Sequence, residues 1–293
     1  MALAEVRTHR ISTSRTTHHV REQGTGSPLV LLHGWPQSGY CWEGVAPILA
    51  KTFRVICPDL RGLGDSARTG APEDFQKKEL ALDILALLDA MQITSFGLAG
   101  HDWGGVVAQE MAISAPERVT RLAILNVPLI NNPIGNAKGE AIHATQRHFF
   151  QWYKYFQMVP NLAEAMIPGN EEPWLRTFLR KSDGDAFPET MIQEYVRCYQ
   201  IPGTATSGAN FYRAMPLDGR RQKTLADHKF PMPGLLLFGK HDPVIVPEYL
   251  IECENAFETP PDIKWVEAGH FVMEEKPDEV AQSLKAFFGL SPQ

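Results

Sequence analysis

The chain has 293 residues, enough for one large domain or two small ones, and 44% hydrophobic content is ordinary for a globular protein with a full core. With 28 basic against 34 acidic residues the formal net charge is −6. There is no basic block or stripe, which argues against nucleic acid and anionic membranes as partners. No apolar run is long enough to span a bilayer and Met1–Arg7 holds no apolar signal core, so a cytoplasmic setting is the expectation.

In chain order, residues 6–22 are polar with alternation and predict an antiparallel hairpin at a sheet edge. Pro28–Leu32 is short, apolar throughout and stopped by His33-Gly34, the pattern of a buried strand; Phe53–Cys57 is another. Leu80, Ile84, Leu87, Leu88 and Met91 recur at helical spacing and predict a crossover helix over 76–91. Ser95–Ala99 reads as a strand, Val106–Met111 as a helix and Val119–Leu125 as a strand. Strands alternating with helices imply an α/β fold with a mostly parallel sheet covered on both faces. The rhythm then breaks. Residues 128–215 hold no convincing strand and are rich in aromatics, proline and helix-spaced positions, and strand-like runs resume at Gly234–Gly239 and Ile263–Glu267. The expected organisation is a core formed by 1–127 and 216–293, with a helical cap, 128–215, inserted so as to roof the carboxyl edge of the sheet.

Between the strand at 95–99 and the helix at 106 lies Gly100-His101-Asp102-Trp103-Gly104-Gly105. The glycine spacing is that of a nucleophile elbow, with a carboxylate where most such elbows carry serine. A carboxylate is already ionised at neutral pH. It is a weak nucleophile, suited to displacement at saturated carbon bearing a strained or good leaving group, and its product is an ester. Hydrolysing that ester requires a base, hence a histidine and an acid to orient it downstream. Asp242 follows the strand-like 234–239 run, and His270 follows 263–267. Nucleophile, acid and histidine thus occur in the order an elbow of this kind expects, each just past the carboxyl end of a strand, where open parallel sheets place their ligands.

These features, with His33-Gly34-Trp35-Pro36 and Pro58-Asp59-Leu60-Arg61-Gly62-Leu63-Gly64-Asp65-Ser66, make the chain resemble the α/β-hydrolases from about Val20 to Phe288. Within them it resembles the epoxide hydrolases and their haloalkane dehalogenase relatives. The resemblance implies backbone N–H donors at Trp35 and Trp103 forming an oxyanion hole, and a cis Trp35–Pro36 bond. It also implies Asp242 as the orienting acid. The alternative position for that acid in the superfamily, after the strand that follows the elbow, holds Asn126, which cannot stabilise an imidazolium by charge. Asp262 reads as a solvated loop residue. The remaining histidines, among them His18, His19, His143 and His148, read as surface or packing residues.

The cap is expected to decide the reaction. Opening an epoxide makes an alkoxide whose conjugate acid has a pKa of roughly 15–16, so it needs a proton donor, and tyrosine, at about 10, supplies one while neutral at rest. A halide leaving group needs no proton. Trp152-Tyr153-Lys154-Tyr155-Phe156-Gln157 and Asn210-Phe211-Tyr212-Arg213-Ala214 resemble the segments that carry the paired cap tyrosines of bacterial epoxide hydrolases. By that match Tyr153 and Tyr212 are the acids, although Tyr155 or Trp152 could face the site instead of Tyr153. The expected activity is epoxide hydrolysis to a vicinal diol through an ester on Asp102. Haloalkane dehalogenation is the alternative, favoured by the indoles of Trp103 and Trp152. Fluoroacetate dehalogenation is disfavoured, because Trp103 stands where that group carries an arginine. A binding protein on the same fold is the non-enzymatic alternative. No cofactor or metal site is implied: there is no phosphate loop, no G-x-G-x-x-G after a strand and no ligand cluster. Cys41, Cys57, Cys198 and Cys253 show no C-x-x-C and read as reduced, mostly buried thiols. The expected partner is a small-molecule epoxide, and the sequence leaves open whether the chain forms a homodimer.

Overall fold

A computed structural model describes residues 5–145, 151–185 and 187–290. Eight strands, β1 (Arg7–Ser12), β2 (Thr17–Gln23), β3 (Ser27–Leu32), β4 (Phe53–Pro58), β5 (Phe96–His101), β6 (Val119–Leu125), β7 (Gly234–Gly239) and β8 (Asp262–Val266), form one sheet in the order β1-β2-β4-β3-β5-β6-β7-β8. β1 pairs with β2, and β2 with β4, antiparallel. From β4 to β8 every pairing is parallel. The hairpin expected over 6–22 is present, but only β1 is an edge.

Burial explains the composition of each strand. Leu29, Val30, Leu31 and Leu32 are each 0% exposed, and all six residues of β7 are buried, as strands covered on both faces require. Burying such a side chain is worth roughly 1.5–3 kcal/mol. β8 lies at the other edge, and there Asp262, Ile263 and Lys264 are exposed.

The core helices are α1 (Ala46–Leu49), α2 (Lys77–Ala90) and α3 (Trp103–Ser114), then, after the last strand, α11 (Val272–Glu275) and α12 (Pro277–Phe288). Between β6 and β7 the described residues form α4 (Pro133–Thr145), α5 (Trp152–Met158), α6 (Leu162–Met166), α7 (Glu171–Phe178), α8 (Glu189–Tyr199), α9 (Thr204–Arg213) and α10 (Met215–Lys223), and no strand.

A buried ion pair ties these helices to the core. Lys77, at the start of α2, is 1% exposed; its Nζ donates to Asp218 Oδ2 on α10 at 2.8 Å and to the Phe211 carbonyl on α9 at 2.5 Å. The same ammonium sits 3.9 Å from the centre of the Trp103 ring. Burial draws the Lys77 pKa below its ordinary value, and Asp218 opposes that shift. Removing one member of a buried pair strands the other's charge. Asp218→Ala should therefore lower the unfolding free energy by about 3–5 kcal/mol, measured by urea denaturation of the whole chain; a loss below about 1 kcal/mol, the range of exposed pairs, would contradict that account.

Candidate active site

The elbow joins β5 to α3. Asp102 sits at its apex with φ 50° and ψ −127°, a conformation that costs on the order of 1–3 kcal/mol for a residue with a Cβ. The turn is so tight that a methyl group at Gly104 would collide with the His33 carbonyl, and one at Gly34 with the Asp102 side chain. Glycine at both positions is thus a condition for presenting Asp102 at this point.

Neighbouring strand ends supply the rest. Trp35 follows β3, and its N–H donates to Asp102 Oδ1 at 2.9 Å. The Trp35–Pro36 peptide is cis. The Trp103 N–H also helps to hold the Asp102 carboxylate charged. His270 follows β8, with Nε2 3.7 Å from Asp102 Oδ2 and Nδ1 2.8 Å from Asp242 Oδ2. The first distance is an ion contact and the second a hydrogen bond. Asp242 follows β7, and its Oδ1 accepts from the N–H groups of Val244 at 2.7 Å and Ile245 at 3.0 Å.

Two carboxylates therefore face one imidazole. Burial disfavours its charge, but Asp242 and then Asp102 more than compensate, so the His270 pKa is raised above its ordinary 6.5. Burial would raise both carboxyls, yet the His270 charge and hydrogen bonds hold Asp102 and Asp242 below the usual carboxylate range. The resting site is carboxylate, imidazolium, carboxylate. By linkage, a raised histidine pKa contributes stability that is fully present below pH 6.5 and is lost as pH rises through the folded-state value.

Two supports were not foreseen from the sequence. Asn126, at the end of β6 with φ 46°, donates from Nδ2 to Asp242 Oδ2 at 2.6 Å and accepts from the Gly239 N–H at 3.3 Å. It is not the charged acid, but it holds that acid in place. His101, fully buried beside His270, pairs through Nε2 with the His270 carbonyl at 2.7 Å. Burial, and then the charge of His270, push its pKa down to about 4, so it is neutral and donates that hydrogen bond. The signal for both was their position at strand ends beside the elbow.

Two cavities share Asp102, Tyr153 and Tyr212 as lining: one of about 550 Å³ that also takes in Trp35, Trp152, Phe178 and His270, and one of about 250 Å³ that takes in Trp103, Val127, Met215 and Ile245. The Tyr153 ring stacks on Trp35 at 5.4 Å, and the Tyr212 ring meets it edge-on at 5.4 Å. The two tyrosine rings lie 5.7 Å apart. Tyr155 is 57% exposed and lines neither cavity, whereas Trp152 lines the larger one. Burial and the charge of Asp102 raise both phenol pKa values well above the ordinary 10, so both hydroxyls are neutral donors.

Of the remaining histidines, read as surface or packing residues, His241 lines the larger cavity. His18 and His19 bond the backbone carbonyl and the carboxylate of Asp59, each at 2.9 Å, and His143 is buried against the Val244 carbonyl at 2.8 Å. His148 lies outside the described residues. All four cysteines are buried and unpaired. No helix among the described residues is long and apolar enough to cross a membrane.

Comparison with known proteins agrees with this geometry. Residues 27–277 match the family model described as alpha/beta hydrolase fold. The chain is 35% identical to the soluble epoxide hydrolase of Corynebacterium sp. (strain C12), over 97% of this chain and 98% of that protein. The solved structure of the epoxide hydrolase CorEH without ligand superposes with a TM-score of 0.80 at 33% identity, covering 97% of this chain and 99% of that one. Epoxide hydrolase A from Mycobacterium thermoresistibile superposes with a TM-score of 0.83 at 27% identity, covering 99% and 100%. With a family model spanning most of the chain and a full-length relative above 30% identity, the chain belongs to the α/β hydrolase fold family, in its epoxide hydrolase branch.

Proposed function

We propose that the protein adds water to an epoxide to give a vicinal diol through an ester on Asp102. The observation that carries this reading is the pair of neutral phenols, Tyr153 and Tyr212, lining the same two cavities as an ionised carboxylate. In this scheme residues 128–215 form the cap that holds the phenols, and the setting is cytoplasmic, in keeping with four unpaired thiols.

The steps follow from charge and proton balance. Asp102 Oδ1 is held by the Trp35 N–H, which leaves Oδ2 to attack a ring carbon. The carbon–oxygen bond of the ring breaks, and one phenol gives its proton to the departing oxygen. The negative charge of Asp102 raises both phenol pKa values, and esterification removes that charge. Alkylation therefore makes the donor more acidic as the alkoxide develops. The same loss lowers the pKa of His270, since Asp102 was one of its two counter-charges. The imidazolium can then return a proton to the tyrosinate, directly or through water, and become the neutral base that the second step needs. Water attacks the ester carbonyl, whose oxygen already faces the Trp35 and Trp103 N–H groups, and His270 takes its proton. As the tetrahedral intermediate collapses, the departing oxygen takes the proton of the added hydroxyl, which releases the diol and restores the resting ion triad.

The dehalogenase reading has less support. The full-length relative is an epoxide hydrolase, and a halide would have no use for the two phenols that line the cavities. One experiment tests the ester. In a single turnover in heavy-oxygen water, the label should enter the protein rather than the diol, because the first diol oxygen comes from Asp102. Label found directly in the diol would mean that water attacks the epoxide itself.

A further inference from the structure

Past His270 the chain turns at Phe271 into α11, where both the Glu274 and Glu275 N–H groups bond the Phe271 carbonyl at 2.9 Å. The two carboxylates leave this turn in different directions. Glu274 Oε2 accepts from Gln37 Nε2 at 2.6 Å, and Glu274 Oε1 accepts from the Tyr195 hydroxyl. Gln37 belongs to the Trp35 turn, closed by its own N–H on the Gly34 carbonyl at 3.0 Å. Tyr195 is fully buried on α8. Glu275 Oε2 accepts from the Gly269 N–H at 2.9 Å, immediately before His270, and from Ser182 Oγ at 2.7 Å and Ser182 N at 2.9 Å. Ser182 also lines the larger cavity. One short helical turn thus contacts the oxyanion turn, the histidine loop and the helical segment at two separate points.

We propose that Glu274 and Glu275 are positioning residues through which the helices above the site hold the Trp35 turn and the His270 loop in register. Resting on the ester scheme above, this assigns them to one step. Asp102 and the phenols carry alkylation, and none of the contacts of Glu274 reaches them directly. The Trp35 N–H and His270 are both needed when water attacks the ester. Alkylation uses the Trp35 N–H only to hold Asp102 Oδ1, so disturbing Glu274 should slow ester hydrolysis far more than alkylation.

The surroundings of Glu274 add a pH signature. Its neighbours are Tyr195 from α8, Gln37 from the Trp35 turn, Tyr40 and Cys41 from the segment after that turn, and Glu275 beside it. No cation pairs with Glu274 among the described residues. Burial, helped by the like charge of Glu275, pushes its pKa up to about 8. Near neutral pH the group is a carboxylic acid and needs an acceptor for its own proton. Gln37 Oε1 is buried without a partner, so a half-turn of the Gln37 amide would supply one. A raised acid pKa costs the folded state stability as pH climbs from the ordinary 4.5 to about 8. Glu274→Gln should flatten that slope.

The test measures ester formation and ester decay separately, by rapid quench and intact mass with an epoxide, in the parent chain, Glu274→Gln, Glu274→Leu and Tyr195→Phe. In the parent, decay should fall as pH passes about 8. In Glu274→Gln the rate near neutrality should be close to that of the parent and the alkaline fall should vanish. In Glu274→Leu decay should drop by ~10- to 100-fold, the scale of a displaced catalytic group, with formation little changed. Tyr195→Phe should shift decay in the same direction by less, and it serves if the Leu variant does not fold. Equal slowing of both steps at matched folded fraction, or a Gln variant as slow as Leu, would overturn the proposal. A parent chain that forms no ester would instead overturn the epoxide scheme.

Discussion

His270→Gln should stop the protein after one alkylation. Glutamine fills much of the imidazole volume but cannot take a proton from water. Glutamine also removes a counter-charge of Asp102, but ester formation takes its proton from a phenol and not from His270, so it should continue. Hydrolysis should fall by ~10⁴-fold, the scale seen when a catalytic histidine loses its function. Intact mass should show nearly all the protein carrying one substrate mass within the first turnover. Asp242→Asn should slow the same step, since it removes the first counter-charge that sustains the imidazolium. In the parent, the hydrolysis rate should rise with pH through the His270 pKa of the ester form. That value lies below the resting one, because esterified Asp102 no longer stabilises the charge. A His270→Gln variant that turns over at the parent rate would mean that another group is the base.

The alternation of apolar runs with helix-spaced segments made the parallel sheet legible, because strands buried on both faces must be apolar throughout, as Leu29–Leu32 and β7 are. The meeting of Asp102, Asp242 and His270 was legible for a different reason: they follow β5, β7 and β8, and the carboxyl ends of parallel strands lie along one sheet edge. What stayed hidden depends on adjacency rather than on spacing. β2 looks like half of an edge hairpin, and only its pairing with β4 shows it to be interior. Asn126 supports Asp242 because β6 lies next to β7, and no local pattern announces this. The choice between Tyr153 and Tyr155 was undecidable from periodicity, since α5 has only 7 residues, less than the window in which a helical face can be read. The Glu274–Gln37 contact spans 237 positions, far beyond the reach of any motif.

Removing both phenol hydroxyls should abolish epoxide alkylation while leaving the fold intact. Tyr153→Phe with Tyr212→Phe keeps the ring contacts with Trp35, at 5.4 Å each, so the cavities should retain their shape. What disappears is every proposed proton donor. An alkoxide leaving without a proton is a poor leaving group, and general-acid assistance is typically worth ~10²–10⁴ in rate. Each single variant should lose less, because the rings lie 5.7 Å apart and the remaining hydroxyl can still reach the departing oxygen. Thermal unfolding should barely change, whereas pre-steady-state ester formation with an epoxide should fall by at least the lower end of that range. A halide needs no proton to leave, so a haloalkane presented to the double variant serves as the control for an intact nucleophile, provided the parent accepts it. If the double variant forms the epoxide ester at the parent rate, the tyrosines are packing residues, and the main structural ground for preferring an epoxide over a halide is gone.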